Sequence, residues 1–160
     1  MNRKQRLIKA LLATVAAVVA VVAAQPAAAA GLQASGTAQA TSLVFTDVRS
    51  ADGNTILEGI QQGVMAGTFT GTWVEQFRLV MHPGGATTFH SFLTVVGTAV
   101  GCGAGTMRFV VDGQGQGPVV EGRFRTIDQA DTSVDVHAVL DFVAFVPTGT
   151  ITYTGTYHCR

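Results

Sequence analysis

The segment 67–80 places apolar side chains at every second position. Phe69, Trp73 and Phe77 recur on one side of this pattern, and mostly polar residues occupy the other. A period of two is typical of a β-strand with one buried face. Glu75 falls on the apolar side, so in a closed barrel its carboxyl group would point into the interior, where a ligand or a packed core would lie.

Seven other segments show strand patterns, and they are separated by turn signals such as Asp52-Gly53 and the residues from His82 to Gly85. A break is expected at 61–63, where two glutamines precede a glycine. The stretch 133–146 has helical propensity, but its alternation and β-branched residues favour a strand. The predicted strands are 42–49, 55–60, 67–81, 87–96, 105–112, 119–127, 133–146 and 148–159.

Eight strands at this spacing leave no room for a major helix and predict an all-β fold. A meander of antiparallel strands can avoid unpaired edge strands by closing into a barrel, or it can protect them by folding into a sandwich. Glycines within the strands favour the barrel, because they mark the bends and bulges that closure requires. These glycines are Gly71, Gly105, Gly122 and Gly155. We therefore predict a closed antiparallel barrel of about eight strands.

The first 30 residues have the pattern of a secretory signal peptide. A basic start is followed by an uncharged run at 10–24, which is shorter than the roughly 20 residues that span a bilayer. Cleavage is expected after Ala30, and the alternative is an uncleaved anchor extended by Leu7 and Ile8. Residues 31–41 are small and polar and are expected to form a flexible leader, so that the barrel domain covers 42–160.

Removal of residues 1–30 leaves six arginines, no lysine and ten acidic residues, a formal charge of −4. Nucleic acids and anionic lipids require clustered basic side chains, so we predict no nucleic-acid partner and no stable membrane insertion after cleavage. The remaining length fits one domain. We expect a secreted protein, and self-association stays open.

Cys102 and Cys159 are the only cysteines, and an exported chain favours their pairing in one disulfide. Closing a loop of this length would stabilise the fold by about 4 kcal/mol in the chain-entropy model. There is no P-loop, dinucleotide-binding fingerprint, nucleophile elbow or H-E-x-x-H motif. No cofactor is therefore predicted.

Glu75 is the candidate catalytic residue. A carboxyl group among aromatic side chains would be desolvated and its pKa raised, which suits acid or base chemistry near neutral pH. The competing interpretation is an interior ion pair that only organises the barrel, with Arg108, Arg123 or Arg125 as the partner.

Other polar and aromatic residues extend this candidate site. Arg123 and Arg125 share one face of a strand, and if that face is inward they would recognise a carboxylate-bearing ligand. The predicted ligand-binding residues are Phe69, Trp73, Phe77, Arg123, Arg125 and Tyr153. His82 and His90 flank one turn, but two histidines without a third ligand do not make a zinc site, so no metal is predicted.

Three blocks of sequence resemble the allene oxide cyclase-like barrel superfamily, which includes dirigent-type proteins and small secreted bacterial domains. These blocks are G-T-F-T-G-T-W-V-E-Q-F at 67–77, the glycine-rich 97–113 and G-T-I-T-Y-T-G-T-Y at 149–157. The resemblance covers residues 42–159 and rests on strand order and glycine placement. It implies a barrel around an apolar cavity, in a superfamily whose characterised members steer the cyclisation or coupling of reactive small molecules.

The chain departs from that superfamily at 139–142, where V-L-D-F replaces an expected glycine-rich stretch, so no catalytic residue is carried over. A second resemblance, to lipocalins and avidins, consists of Gly71-Thr72-Trp73 alone. It would place the tryptophan in the middle of the barrel rather than on the first strand.

We predict a secreted barrel that binds a small apolar or carboxylate-bearing molecule and directs its cyclisation or isomerisation without a cofactor. The alternative is a structural or interaction barrel whose interior is filled by side chains. Six aromatic residues distinguish the two, since they either interdigitate or line a hollow. They are Phe45, Phe69, Trp73, Phe77, Phe109 and Phe142.

Overall fold

The computed structural model describes residues 31–128 and 130–160, and this part of the chain folds into a closed antiparallel β-barrel. The signal peptide predicted at 1–30 lies outside the described residues. Eight strands follow one another along the chain: β1 (Leu32–Ala51), β2 (Asn54–Gly67), β3 (Phe69–Met81), β4 (Ala86–Ala99), β5 (Gly103–Gln116), β6 (Val119–Thr126), β7 (Val136–Phe145) and β8 (Thr150–Cys159).

Each strand pairs with the next one in sequence, and β1 pairs with β8 to close the sheet on itself. The predicted all-β fold and closed barrel of about eight strands are confirmed. No helix long and apolar enough to cross a membrane occurs within residues 31–128 and 130–160.

The prediction of a flexible leader at 31–41 is wrong. Nearly all of this segment belongs to β1, which pairs with β8 from Leu32 to Gln39 and with β2 from Gly36 onward. Ala34 and Ala38 are buried in the core. Small side chains suit this position, because they leave room inside the barrel for larger residues from other strands.

The break predicted at 61–63 is also absent, since β2 runs through it to Gly67. Gly63 lies opposite Trp73 in the sheet, and a Cβ atom at Gly63 would come within 2.5 Å of the indole ring. The glycine is needed for this close approach, and the ring nitrogen of Trp73 donates a hydrogen bond to the carbonyl of Val64 at 3.1 Å.

One half of the barrel interior, which we call the filled half, is packed with side chains. It lies at the end where β3 begins and β4 ends. Its largest members with almost no solvent exposure are Phe69, Val95, Met107, Phe109, Leu140 and Tyr153. Cys102 and Cys159 form a disulfide at this end, with their Cα atoms 5.1 Å apart, so the predicted pairing is present in the structure.

The other half, which we call the open half, has a gap in its wall. β8 begins at Thr150, whose partner in β1 is Gln39. Beyond this point β1 continues to Ala51, and the segment from Ser42 to Ala51 pairs with β2 alone. Leu43 and Phe45 share the inward side of β1, yet they are 51% and 49% exposed because no strand covers them.

Candidate functional site

The open half contains a cavity of about 510 Å³. Six phenylalanines contribute to its wall: Phe45, Phe77, Phe89, Phe124, Phe142 and Phe145. The remaining wall is mainly aliphatic and includes Leu43, Leu57, Leu79, Val111, Val120 and Ile151. Alternation along each strand sends most of these side chains inward, and polar neighbours such as Arg78 face outward. Phe145, at the end of β7, is 44% exposed and belongs to the rim of the cavity.

Glu75 lies in the wall of the cavity at the middle of β3, between Trp73 of the filled half and Phe77 of the open half. It is 4% exposed. The sheet register places Gln61 of β2 opposite Glu75, and Ser91 of β4 lies opposite Phe77, the next inward residue. The Ser91 hydroxyl donates a hydrogen bond to Oε1 of Glu75, and the Gln61 amide donates one to Oε2.

Burial raises the pKa of Glu75 above its ordinary value of 4.5, and the hydrogen bonds from Ser91 and Gln61 oppose this shift in part. A carboxyl group loses much of its hydration inside the barrel, which disfavours the charged form. The Glu75 carboxyl group can therefore hold a proton in a space that excludes most water.

We expect Glu75→Gln to raise the free energy of unfolding at neutral pH and to change it little in acid. The raised pKa of the folded state means that the folded protein binds the Glu75 proton more tightly than the unfolded chain does. This contribution to stability is complete below about pH 4.5 and is lost as the pH rises toward the folded-state pKa. Glutamine keeps the hydrogen-bonding shape without the charge.

Urea unfolding at about pH 4 and about pH 8 measures the effect, because the stability difference between variant and wild type should grow with pH. Glu121→Gln, the same change at an exposed position, is the matched control and should show no such growth. A wild-type protein that is more stable than Glu75→Gln at the higher pH would contradict the prediction.

The interior ion pair considered for Glu75 is not present, because the arginines lie on the outer surface. Arg108 binds Asp131, Arg123 binds Asp141 at 2.8 Å and Arg125 binds Asp112 at 2.6 Å. The prediction that Arg123 and Arg125 bind a ligand in the barrel is therefore wrong. Inward positions of β6 belong instead to Val120 and Phe124, so the two arginines alternate to the solvent side.

The predicted aromatic site residues divide between the two halves. Phe77 lines the cavity, whereas Phe69 and Trp73 pack into the filled half and do not line it. Tyr153 is also buried there and does not line the cavity. Its hydroxyl accepts a hydrogen bond from the backbone N–H of Phe69 at 3.1 Å and lies 3.2 Å from the carbonyl of Ala66.

Sequence reasoning missed three polar residues of this region, of which Gln61 and Thr87 line the cavity. Gln61 and Ser91 bind Glu75, and Thr87 is buried in the same wall, where its hydroxyl has no hydrogen-bond partner within the described residues. One signal was available for Ser91 and Thr87. They fall on the same side of their strand as Phe89 and Leu93, so both are polar residues at inward positions.

His82 and His90 have separate partners and do not form a joint site. His82 Nδ1 lies 2.9 Å from Oδ1 of Asn54, and His90 Nδ1 lies 2.8 Å from Oδ1 of Asp112. Across residues 31–128 and 130–160, no group of three or more His, Cys, Asp or Glu side chains is close enough to hold a metal ion.

Comparison with known proteins assigns no family to this chain: no family model matches it, and no curated protein is detectably similar to it. The resemblance to the allene oxide cyclase-like superfamily therefore stays a prediction.

Proposed function

We propose that this protein binds a small, mainly apolar molecule in the open half of its barrel. The observation that carries the proposal is the cavity of about 510 Å³, with a buried carboxyl group among aromatic and aliphatic side chains. Ligand sites commonly have volumes of about 300–1,000 Å³ and apolar walls with a few polar groups. Glu75 and Thr87 supply such groups at different depths of the cavity.

The mouth of the cavity also supports binding. Its rim exposes large apolar side chains that include Leu43, Phe45, Met81, Phe145 and Val146. Contiguous exposed apolar residues around a hollow are typical of ligand entry. The alternative, a structural barrel filled by its own side chains, describes the filled half around Phe69. It does not explain why the open half is hollow.

Cofactor-independent isomerisation or cyclisation is a second candidate. Its supporting observation is the raised pKa of Glu75, which would let this carboxyl group exchange a proton with a bound molecule. Export is part of the proposal as well, and it is supported by the disulfide between Cys102 and Cys159.

Filling the cavity should weaken binding strongly. Ala144 lines the open half in β7, opposite Val120 and Ile151 of the neighbouring strands, and Ala144→Trp would place an indole ring in the hollow. We expect this variant to bind the neutral apolar dye N-phenyl-1-naphthylamine at least about tenfold more weakly than wild type, which corresponds to about 1.4 kcal/mol. Dye fluorescence in a titration measures the affinity.

Val143→Trp is the matched control, because Val143 is the adjacent residue and faces solvent. It should bind the dye as wild type does. Equal affinities for all three proteins would place the dye outside the open half and would remove the support for a binding site there. Independently of the dye, native mass spectrometry of the protein from its own host would identify any molecule that stays bound.

A further inference from the structure

The cavity wall carries one ionisable side chain. Among the described residues that line it, Glu75 alone can take a charge, and none is basic. The elements packed against Glu75 present neutral groups, namely Gln61 from β2 and Ser91 and Leu93 from β4. A carboxylate-bearing ligand would find no cation here, whereas a cationic ligand would supply the counter-charge that the wall lacks.

The hydrogen bonds of Glu75 define what a ligand must offer. Ser91 and Gln61 both act as donors, one to each carboxyl oxygen. A carboxylate has about four acceptor positions, so about two stay open after these bonds. An incoming polar group that donates hydrogen bonds can use these positions of the carboxylate, whereas a carbonyl group could only accept a hydrogen bond from the neutral acid form of Glu75.

Aromatic rings beside the carboxyl group favour a cation further. Phe77 follows Glu75 on the inward side of β3, and its ring stacks on Phe89 with centroids 5.9 Å apart. Ring faces attract ammonium groups, more strongly where water is scarce. Charge, donor geometry and aromatic surroundings therefore agree on one ligand class.

On the basis of the proposed function, we propose that the ligand is an apolar amine whose protonated nitrogen binds Glu75 at the inner end of the cavity. Its hydrocarbon part lies along the aromatic wall toward the mouth. The complex contains an ammonium–carboxylate pair, which is a stronger contact than a hydrogen bond between neutral groups.

Binding of an amine should release a proton. The empty cavity favours the neutral acid form of Glu75, because no cation offsets its burial. The ammonium group favours the carboxylate, so the Glu75 proton leaves to the buffer as the complex forms. Amine affinity should consequently rise with pH until the amine itself loses its charge.

Four probes of equal chain length test the ligand class: octylamine, 1-octanol, 2-octanone and octanoate. Isothermal titration calorimetry of wild type should give octylamine an affinity at least about tenfold above those of the alcohol and the ketone, and octanoate the weakest binding. The heat of octylamine binding should change between two buffers of different ionisation enthalpy at the same pH. This ranking needs no variant.

Variants then locate the effect. Glu75→Gln should bring octylamine to the affinity of 1-octanol, whereas Glu121→Gln, on the outer surface, should keep the wild-type ranking. If 2-octanone or octanoate equals or exceeds octylamine in wild type, the amine inference is wrong. Another outcome is that the dye binds wild type, and binds Ala144→Trp more weakly, while none of the four probes binds. In that case the amine inference again fails, and the proposed function stands. If neither dye nor probes bind, the proposed function itself fails.

Discussion

We expect the double variant Cys102→Ala/Cys159→Ala to unfold with a free energy about 4 kcal/mol below that of wild type. The disulfide joins residues 57 apart in sequence, so it removes many conformations from the unfolded chain. It also holds the last residue of β8 against the turn that follows β4. Equilibrium unfolding in guanidinium chloride measures the difference.

Reduction of the wild-type protein provides the control for this prediction. Dithiothreitol should lower the stability of wild type to that of the double variant, and it should leave the variant unchanged. Both proteins should bind the naphthylamine dye equally while folded, because the disulfide lies at the filled end of the barrel. A loss below about 1 kcal/mol would mean that the disulfide restrains the unfolded chain far less than its loop length implies.

Strand patterns that bury one face were predicted well from sequence. The inward side chains of β3, including Phe69, Glu75 and Phe77, were identified because a shift by one residue would expose all of them to water. The same reasoning placed Arg123 and Arg125 on a common face. It did not determine whether that face points into the barrel. The direction is set by Val120 and Phe124, which occupy the inward positions of the same strand.

The start of β1 and the continuity of β2 were missed for a different reason. Residues 31–41 are too small and polar to show a strand pattern, and their order comes from pairing with β8 at the far end of the chain. The local sequence at 61–63 predicts a strand break, whereas in the structure the absence of a side chain at Gly63 makes room for the Trp73 ring. Both features depend on contacts between distant segments, which local composition does not record.

The sequence predicts the central residue of the site and part of its aromatic wall, including Phe77, but not the polar partners. The polarity and position of Glu75 are visible along β3, but its partners Gln61 and Ser91 come from two other strands and depend on the sheet register. The cavity itself depends on side-chain volumes summed around the barrel. A single strand cannot show that one half is filled and the other hollow.

This division should separate stability from binding, because most of the largest side chains with almost no solvent exposure lie in the filled half. Phe69 contacts both Phe109 and Tyr157 there, with ring centroids 5.8 and 5.7 Å apart. The open half keeps apolar surface free for a ligand and gives up part of the packing energy that the same side chains would otherwise contribute.

Phe69→Ala and Phe77→Ala compare the two halves with the same truncation. We expect Phe69→Ala to lower the free energy of unfolding by about 3–5 kcal/mol, because Phe69 is 0% exposed and its loss leaves a new void among packed rings. Phe77 is also largely buried, at 8% exposure, but its ring borders the existing cavity. Its removal should lower the free energy of unfolding by about 2 kcal/mol, mainly the transfer contribution of the ring.

Dye binding should change in the opposite order, and this reversal is the sharper test. Phe77→Ala removes part of the cavity wall and should weaken the naphthylamine complex, whereas Phe69→Ala, measured under conditions where it is folded, should bind as wild type does. Urea unfolding and dye titration on the same two proteins give both quantities. Equal losses of stability, or weaker binding by Phe69→Ala, would mean that the halves form one cooperative core, so that the cavity is not energetically separate from the packing around Phe69.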